Sequence, residues 1–410
     1  MPPYFTRERF GRPQFFAALL LFAFACQCVW LVHAELSGQA AMEAHEAIRI
    51  GEGWKQWHGR GIAGAPFREP GIAADKDPLV ASGSFDPERS PLLYLTSAAP
   101  LFGWPRDLNQ EWAVYWRWLP RLPFLACGLF LGASLWYVAR RLCGNSGGMI
   151  ALTLYCFSPA FIQASAAWHT EPQITVAWGA FGTIFTAVAV AHTLYAPREV
   201  VLWNWRRIVL LGISLAIAVG SEFPFVVLIP MALAFLLYVA PVRRQAGLVI
   251  WIAASVVSAG MLFAFYFFHP HAFAGSMSHA VFWGATGRGF MVWGVYKQVL
   301  VQMGRACPAF VWILPLTLAV YAMWPRTRYF GNTGPLLVGF LLLALGVAHP
   351  HLEGAGFFLA AVPFLFVFAS GVLADLMETQ QATLVTVCVI GLLVADVVHT
   401  VWKLLEVPRG

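Results

Sequence analysis

Apolar stretches long enough to cross a lipid bilayer recur along the whole of this 410-residue chain. A helix needs about 20 consecutive apolar residues to span the hydrocarbon core. Only 11% of the residues are charged, against about 25% in soluble domains. We place spans at residues 15–34, 122–138, 147–165, 173–195, 208–220, 224–240, 247–268, 308–324, 335–348, 355–373 and 382–400. The sequence therefore predicts an all-α polytopic membrane protein, with about 11 transmembrane helices in a single domain over residues 1–410.

Arginine is divided unevenly between the short loops that join these spans. The loops on one side carry Arg7, Arg9, Arg12, Arg140, Arg141, Arg198, Arg206, Arg207, Arg243, Arg244, Arg326 and Arg328. The short loops on the other side, around His169, Glu222 and His349, contain no lysine or arginine. Because basic residues favour cytoplasmic loops, we predict a cytoplasmic amino terminus in a multi-pass protein of the cell (inner) membrane. The same bias explains the calculated pI near 9.0, so no nucleic-acid partner is predicted.

One long hydrophilic loop, residues 35–120, separates the first two spans and is predicted to lie outside the cell. It contains eleven of the 20 acidic residues and eight of the 26 basic ones. Moving so much charge across a bilayer is unfavourable unless the far side needs it, so we expect the chemistry in this extracytoplasmic loop. A second outer segment, residues 269–307, carries aromatic residues of the kind found at membrane interfaces.

Five short motifs follow one another along the first half of the chain. They are ERSPLLY at 88–94, WLPRLPF at 118–124, YVARRLCG at 137–144, FSPAF at 157–161 and HTEP at 169–172. Their order resembles that of the GT-C glycosyltransferases, specifically the branch of protein mannosyltransferases, aminoarabinose transferases and Rgt-type lipopolysaccharide glycosyltransferases. It covers roughly residues 14–200 in order and spacing, and beyond residue 200 it extends only to hydropathy and topology. It implies a GT-C fold whose first outer loop contains interfacial helices.

The candidate catalytic residues are Glu46, His45 and Glu43. The first outer loop of the family normally opens with an Asp-Glu pair whose aspartate is taken as the general base, and His45-Glu46 stands at the matching position. Glu46 keeps a carboxylate there. Glu43 lies three residues earlier, so the two glutamates would share one face of a helix. An imidazole can also act as a base, because its pKa of about 6.5 lies near working pH. Two alternatives stay open: the two glutamates form the solvated face of a helix, or the substitution marks a non-catalytic GT-C-fold protein.

The resemblance also implies residues that bind the donor phosphate and the substrate. Arg89 stands where the family usually has a lysine, and Glu171, two residues after His169, stands where it has a carboxylate. A leaving phosphate needs a cation to stabilise its developing charge, and Arg288 and Lys297 in the second outer segment are further candidates. Glu171 could equally cap the following helix, since a proline directly after it is typical of a helix start.

Histidines gather on the predicted outer side as two pairs, His269 with His271 and His349 with His351. Imidazole is a common ligand of zinc and other divalent cations. The spacing of a helical zinc motif is absent, however. No cofactor is certain from the sequence, and a divalent metal ion at these histidines stays an open alternative.

The function implied by the resemblance is a membrane glycosyltransferase with a polyprenyl-phosphate-linked sugar as donor. A glycan, lipid or protein would be the acceptor, in contact with membrane lipid. The alternative is a transporter or flippase of lipid-linked saccharide. Transporters place ionisable groups near the bilayer midplane, whereas here they cluster at one face apart from His192, Asp396 and His399. That distribution favours an enzyme whose active site lies on one side of the membrane.

Overall fold

The structure is a computed structural model of the chain, and it describes residues 12–37, 90–104, 116, 118–166, 173–195, 205–279, 287–348, 356–379 and 382–406. All regular secondary structure in these residues is helical. Seven helical segments among them are long and apolar enough to cross a membrane: Pro13–Ala34, Leu119–Cys156, Ile174–Thr193, Pro241–Phe265, Phe330–Ala348, Phe357–Met377 and Ala382–Leu405. The predicted all-α polytopic membrane fold is therefore confirmed.

The seven long segments contain eight of the eleven predicted spans. Leu119–Cys156 contains one predicted span and most of a second in one continuous run. Trp205–Ser221, Phe223–Val239 and Phe310–Met323 coincide with three further predicted spans but are at most 17 residues long. A helix of that length is at the lower limit for crossing the hydrocarbon core. Each predicted span thus corresponds to a helix within the part of the chain that the structure describes.

The α-helices are numbered along the described chain as α1 Pro13–Ser37, α2 Leu92–Ala98, α3 Leu122–Cys156, α4 Pro159–Ala166, α5 Ile174–Thr193, α6 Trp205–Ser221, α7 Leu228–Val239, α8 Arg244–Phe265, α9 Pro270–His279, α10 Trp293–Ala306, α11 Phe310–Met323, α12 Phe330–Ala348, α13 Phe357–Met377 and α14 Ala382–Leu405. The chain divides into two compact units, which are described separately. Unit 1 comprises Met1–Ala40, Leu125–Ile174 and Thr286–Gly410, and unit 2 comprises Ala41–Phe124 and Thr175–Ala285. The single membrane domain stays a prediction.

Helix α13 is the centre of unit 1, because every residue from Phe357 to Ala374 is buried or nearly so. It packs tightly on α12 through glycines: a Cβ on Gly339 would lie 2.6 Å from Leu365, and one on Gly346 would lie 2.7 Å from Phe358. Small residues of this kind let membrane helices approach closely. The peripheral helices α1 and α14 instead expose rows of large apolar side chains, as expected of surfaces that face lipid.

Unit 2 is built around the packing of α6 against α5 and α8. A Cβ on Gly179 of α5 would lie 2.6 Å from the backbone nitrogen of Ala218, and one on Gly212 would lie 2.8 Å from the carbonyl oxygen of Ala254 in α8. Beyond the end of α6, Phe223 joins a buried apolar cluster with residues of α6 and α8. These three helices therefore pack closely against one another.

A glycine reverses the chain inside α3. Gly144 has φ 76° and ψ −175°, a conformation that is essentially restricted to glycine, so the run from 122 to 156 contains two helices rather than one. Arg140 precedes this turn, where its Nε donates to Asn145 Oδ1 over 2.7 Å and its guanidinium lies 5.2 Å from the Trp136 ring centroid. Two predicted spans thus meet at a turn that holds basic residues.

The basic turns of unit 1 lie at one common end. Asn332, at the start of α12, donates to Asp375 Oδ2 in the last turn of α13 over 3.1 Å, and Cys143 beside the Gly144 turn approaches Asn332 at 4.0 Å. Arg326 pairs with Glu378 at 2.9 Å. These contacts gather the turns that carry Arg140 and Arg326. Unit 1 therefore has the shared basic end that the distribution of arginine predicts, and the side of the membrane on which it lies stays a prediction.

Cysteine labelling tests the predicted orientation. Arg60→Cys in the first outer loop and Ala280→Cys in the second outer segment should react in intact cells with a maleimide that cannot cross membranes. Arg243→Cys, in an exposed basic turn between α7 and α8, should react only after permeabilisation, because basic turns are predicted to be cytoplasmic.

Wild-type protein sets the background from its own seven cysteines. Reaction at position 243 in intact cells, with none at positions 60 and 280, would reverse the orientation and with it the outer active site.

Candidate functional site

Most residues predicted to carry the chemistry lie outside the described residues. These are Glu43, His45, Glu46, Arg89, His169, Glu171, His349 and His351. Their roles stay predictions. The structure does describe the chain directly beside several of them, because Ser90 follows Arg89, Gln173 lies two residues after Glu171, and Gly356 lies five residues after His351.

The third predicted span is broken where α3 ends and α4 begins, directly before Pro159. Proline has no N–H to continue a helical ladder, so nearby carbonyls need other donors. Gln27 Nε2 donates to the carbonyl of Cys156 over 3.1 Å, and the Thr400 hydroxyl donates to the carbonyl of Phe157 over 2.8 Å. Because an unpaired carbonyl is costly in an apolar surrounding, these bonds hold α1 and α14 against the break.

The residues of the FSPAF motif around this break have separate structural roles. The Ser158 hydroxyl is fully buried and donates to the carbonyl of Ala306, the last residue of α10. Ala160 lines a cavity described below. Phe161 is fully buried, with its ring centroid 4.8 Å from that of Tyr155. The motif therefore both breaks the helix and fixes the end of α10.

Asp396 of α14 fixes the chain just after α10. Its Oδ1 accepts from the backbone N–H of Ala309 at 3.0 Å, and its Oδ2 accepts from the Cys307 thiol at 3.5 Å. This carboxylate therefore sits at the start of α11, where unpaired N–H groups favour negative charge. Burial raises the pKa of the Cys307 thiol, and the neighbouring carboxylate raises it further. Cys307 thus stays protonated near neutral pH and acts as a packing residue.

A cavity of about 180 Å³ lies in unit 1 beside these contacts. Its lining residues come from α4, from α10 and from the chain at the starts of α5 and α13: Ala160, Gln173, Gln302, Met303, Ala306, Gly356, Phe358, Leu359 and Val362. Gln173 and Gln302 contribute side-chain amides to a lining that is otherwise apolar. Neither amide makes a hydrogen bond to another described residue. This is a concave apolar site with two polar groups, the usual composition of a small-molecule pocket.

Helix α10 turns one face to this cavity and the other away from the protein. Its buried Val295 packs with Val347 and Phe358. Lys297 is exposed on the other face, five residues before Gln302 and thus roughly 140° around the helix. Arg288 is exposed in the short 3₁₀ turn Arg288–Met291. The structure thus places the two predicted phosphate-binding cations on exposed surface, apart from the residues that line the cavity.

The first predicted histidine pair follows a strained turn in unit 2. Phe267 and Phe268 have φ values of 51° and 60°, the left-handed region that costs roughly 1–2 kcal/mol for each residue with a Cβ. His269 Nδ1 lies 2.9 Å from the carbonyl of Tyr266, and His271 is exposed at the start of α9. Among the described residues, no group of three or more His, Cys, Asp and Glu side chains could hold a metal ion. A metal at the four predicted histidines stays a prediction.

The ERSPLLY motif is anchored to the end of α6 in unit 2. The Ser90 hydroxyl donates to the carbonyl of Gly220 over 2.6 Å and accepts from the backbone N–H of Leu92 at 3.2 Å. One residue further along α6, the Ser221 hydroxyl bonds to Thr175 Oγ1 at 2.9 Å. These bonds tie the starts of α2 and α5 to the end of α6 that is remote from its arginines, Arg206 and Arg207.

Two ionisable side chains are buried in the same part of unit 2. Arg121 of the WLPRLPF motif is 3% exposed, and Glu222, directly after α6, is 8% exposed. Helix α2 packs against both the turn Leu119–Arg121 and α6. Both side chains are engaged in polar or electrostatic interactions. Buried ionisable groups in membrane proteins are costly and usually functional, so this part of unit 2 is a second candidate region.

Sequence reasoning missed the side chains that organise the described site. Gln27, Asp396 and Thr400 each interrupt an otherwise apolar span, and that interruption was a signal that could have identified them as hydrogen-bonding residues. Gln302 carried no such signal, because polar residues are ordinary on one side of an amphipathic helix. Only the packing of α10 turns it toward the cavity.

Comparison with known proteins establishes no family for this chain. No protein-family model matches it, and no curated protein matches it. Among solved structures, the crystal structure of the Archaeoglobus fulgidus oligosaccharyltransferase complexed with zinc and sulfate aligns over 77% of this chain at 16% identity, with a TM-score of 0.47. The alignment covers 44% of that larger protein. A likeness at this level leaves the function to be inferred from the residues of this chain.

Replacing Thr400 by valine tests the hydrogen bond across the α3–α4 break. Thr400→Val keeps the size of the side chain but leaves the Phe157 carbonyl without this donor. The free energy of unfolding in lipid nanodiscs should fall by about 0.6 kcal/mol and by no more than about 1.7 kcal/mol, the range measured for side-chain hydrogen bonds in membrane proteins.

Thr383→Val is the matched control, because Thr383 is exposed on the same helix and should change stability little. Equal effects of the two substitutions would show that the Thr400 bond contributes nothing specific.

Proposed function

We propose that this protein is an integral membrane glycosyltransferase of the GT-C type. It takes a sugar from a polyprenyl-phosphate donor and transfers it to an acceptor on the extracytoplasmic side of the membrane. The active site includes the candidate residues of the first outer loop. Its direct partners are the lipid-linked sugar, a glycan, lipid or protein acceptor, and membrane lipid.

The observation that carries this proposal is the position of three of the motifs on which the resemblance rests. Ser90 of ERSPLLY bonds to the end of α6, Arg121 of WLPRLPF is buried beside α2, and Ser158 of FSPAF bonds to the end of α10. Each motif therefore builds the end of its own unit that is remote from the basic turns. Motifs that are related only by chance would have no reason to share this placement.

The proposed reaction is a single displacement that inverts the anomeric centre. The acceptor hydroxyl loses its proton to Glu46 or His45, its oxygen forms a new bond to C1 of the sugar, and the bond from C1 to the phosphate oxygen breaks. The electron pair of that bond leaves with the polyprenyl phosphate. Glu43 supports the base, while Arg89 and the segment of His169 and Glu171 bind the phosphate and substrate.

The buried Arg121 is proposed to help stabilise the leaving phosphate. Developing negative charge on a leaving phosphate is stabilised most by fixed cations in a site that excludes water. Arg121 is a buried cation in the unit whose described chain begins one residue after Arg89. Arg288 and Lys297 are exposed and stay proposed cations for the donor phosphate in the second outer segment.

Mass spectrometry of cell-surface glycans and lipid-linked sugars, with and without this gene product, tests the proposal. Loss of one sugar from the surface glycans, with its polyprenyl-phosphate donor accumulating, is the expected result. Intracellular accumulation of an otherwise complete lipid-linked saccharide would instead identify a flippase. Unchanged glycans and unchanged lipid-linked sugars would contradict both functions.

Removing the charge of Glu46 or Glu171 should lower turnover by about 10²-fold or more, because each is proposed to act as base or to organise the phosphate site. Glu46→Gln and Glu171→Gln preserve shape, so expression should be retained. Transfer is measured with purified protein and a lipid-linked sugar. Glu378→Gln is the control, since it removes only an exposed ion pair with Arg326 and should leave turnover unchanged. Near-normal turnover in both test variants would exclude these carboxylates from the mechanism.

The pH dependence of turnover separates the two candidate bases. If His45 is the base, activity falls as pH drops through about 6.5, and His45→Asp moves that fall toward about pH 4. If Glu46 is the base, the fall already lies near pH 4 and His45→Ala keeps substantial activity. We expect the second result, because Glu46 is the family carboxylate that this chain retains. A folded but inactive His45→Ala protein would assign the role to the imidazole.

A further inference from the structure

We infer that the cavity between α4, α10 and α13 is the binding site of one uncharged sugar ring, held by the amides of Gln173 and Gln302. This inference rests on the proposed glycosyl transfer for its ligand class and assigns the sugar a place in unit 1. The donor and the acceptor could each supply such a ring, and the experiment below distinguishes the two sources.

The chemistry of the lining selects the ligand. An amide offers two donors and an acceptor, and a sugar hydroxyl both donates and accepts. Two such amides among Met303, Phe358 and Leu359 match a ring that has hydroxyl groups at its edge and C–H bonds on its face. An aliphatic chain would leave both amides desolvated without hydrogen bonds, which is costly.

The charge of the lining and the size of the cavity limit the possible ligands further. All lining residues that the structure describes are uncharged, so this described lining supplies no ion to pair with a phosphate or a carboxylate. Its volume of about 180 Å³ is below the 300–1,000 Å³ or so of pockets for drug-sized ligands. One sugar ring fits this description better than an oligosaccharide or a polyprenyl tail.

The surrounding contacts hold the helix of Gln302 in place without using its amide. Within the part of the chain that the structure describes, neither the Gln302 amide nor the Gln173 amide bonds to another residue. Ser158 binds the carbonyl of Ala306, and Asp396 binds the backbone of Ala309, which together fix the end of the helix that carries Gln302. Pre-formed polar groups on a rigid wall bind a ligand without a large ordering cost.

Ligand titrations of the full-length protein in nanodiscs test this inference, with intrinsic tryptophan fluorescence as the readout. The probes are undecaprenyl phosphate, undecaprenyl-phosphoryl hexoses and pentoses, and short lipid-free oligosaccharides. Wild-type protein should bind a sugar-bearing probe more tightly than undecaprenyl phosphate. Gln173→Leu and Gln302→Leu should each weaken binding of that probe by roughly 3- to 10-fold, the effect of one lost hydrogen bond, with undecaprenyl phosphate unaffected.

Two further variants separate the ligand contact from folding. Gln298→Leu makes the same change at an exposed position of α10 and should bind all probes normally. Ala160→Leu keeps both amides but fills the cavity, so it should weaken the same probe. The thermal unfolding midpoint of each variant without ligand checks that it is folded.

The probes that bind more weakly to the variants identify whether the sugar comes from the donor or from the acceptor. Weaker binding of the lipid-linked sugar alone assigns the cavity to the donor, and weaker binding of the lipid-free oligosaccharide alone assigns it to the acceptor. The inference is overturned if wild-type protein binds no sugar probe more tightly than undecaprenyl phosphate, if the variants bind as wild type does, or if undecaprenyl phosphate itself is weakened. Unchanged surface glycans in cells lacking the protein, together with cavity-dependent sugar binding, would reject the transfer reaction and leave this site standing.

Discussion

Backbone carbonyls that lose their helical partners in an apolar surrounding must find other donors, and this requirement organises unit 1. Pro159 interrupts the predicted third span, and Gln27 and Thr400 supply donors to the two carbonyls beside it. Those donors come from the first and the last helix of the described chain. The break at Pro159 thus leaves two carbonyl acceptors, and the bonds that satisfy them connect α1 and α14 to the end of α3.

The same break also fixes the wall of the cavity. Ser158 holds the end of α10, and Asp396 holds the start of α11, so the chain between these helices is bound from two sides. Gln302 and Met303 face the cavity from a helix whose end is fixed in this way. The site therefore depends on polar contacts that lie behind its own lining.

Charge separates the two ends of each unit. In unit 1, Asn332, Asp375 and Glu378 connect the turns that carry Arg140 and Arg326. The cavity lies beside Ala306, at the other end of α11 from Arg326. In unit 2 the arginines of α6 are at its beginning, and Glu222 directly follows its end.

The sequence by itself determined the fold class, because the length and spacing of apolar stretches depend only on bilayer thickness and on the need to satisfy backbone polar groups within helices. It also located the basic turns between spans, including the one at Gly144, but it did not predict the break before Pro159 inside the third span. Its motifs named Ser90, Arg121 and Ser158 as parts of significant segments, but not the contacts that they make. Such contacts join residues far apart in the chain: Thr400 and Phe157 are 243 positions apart, and Asp396 and Ala309 are 87 positions apart. No local pattern encodes such pairs, because each side chain's partner is set by how the helices pack. Whether Gln302 faces a cavity, and Lys297 on the same helix faces away, was therefore decided only by the tertiary structure.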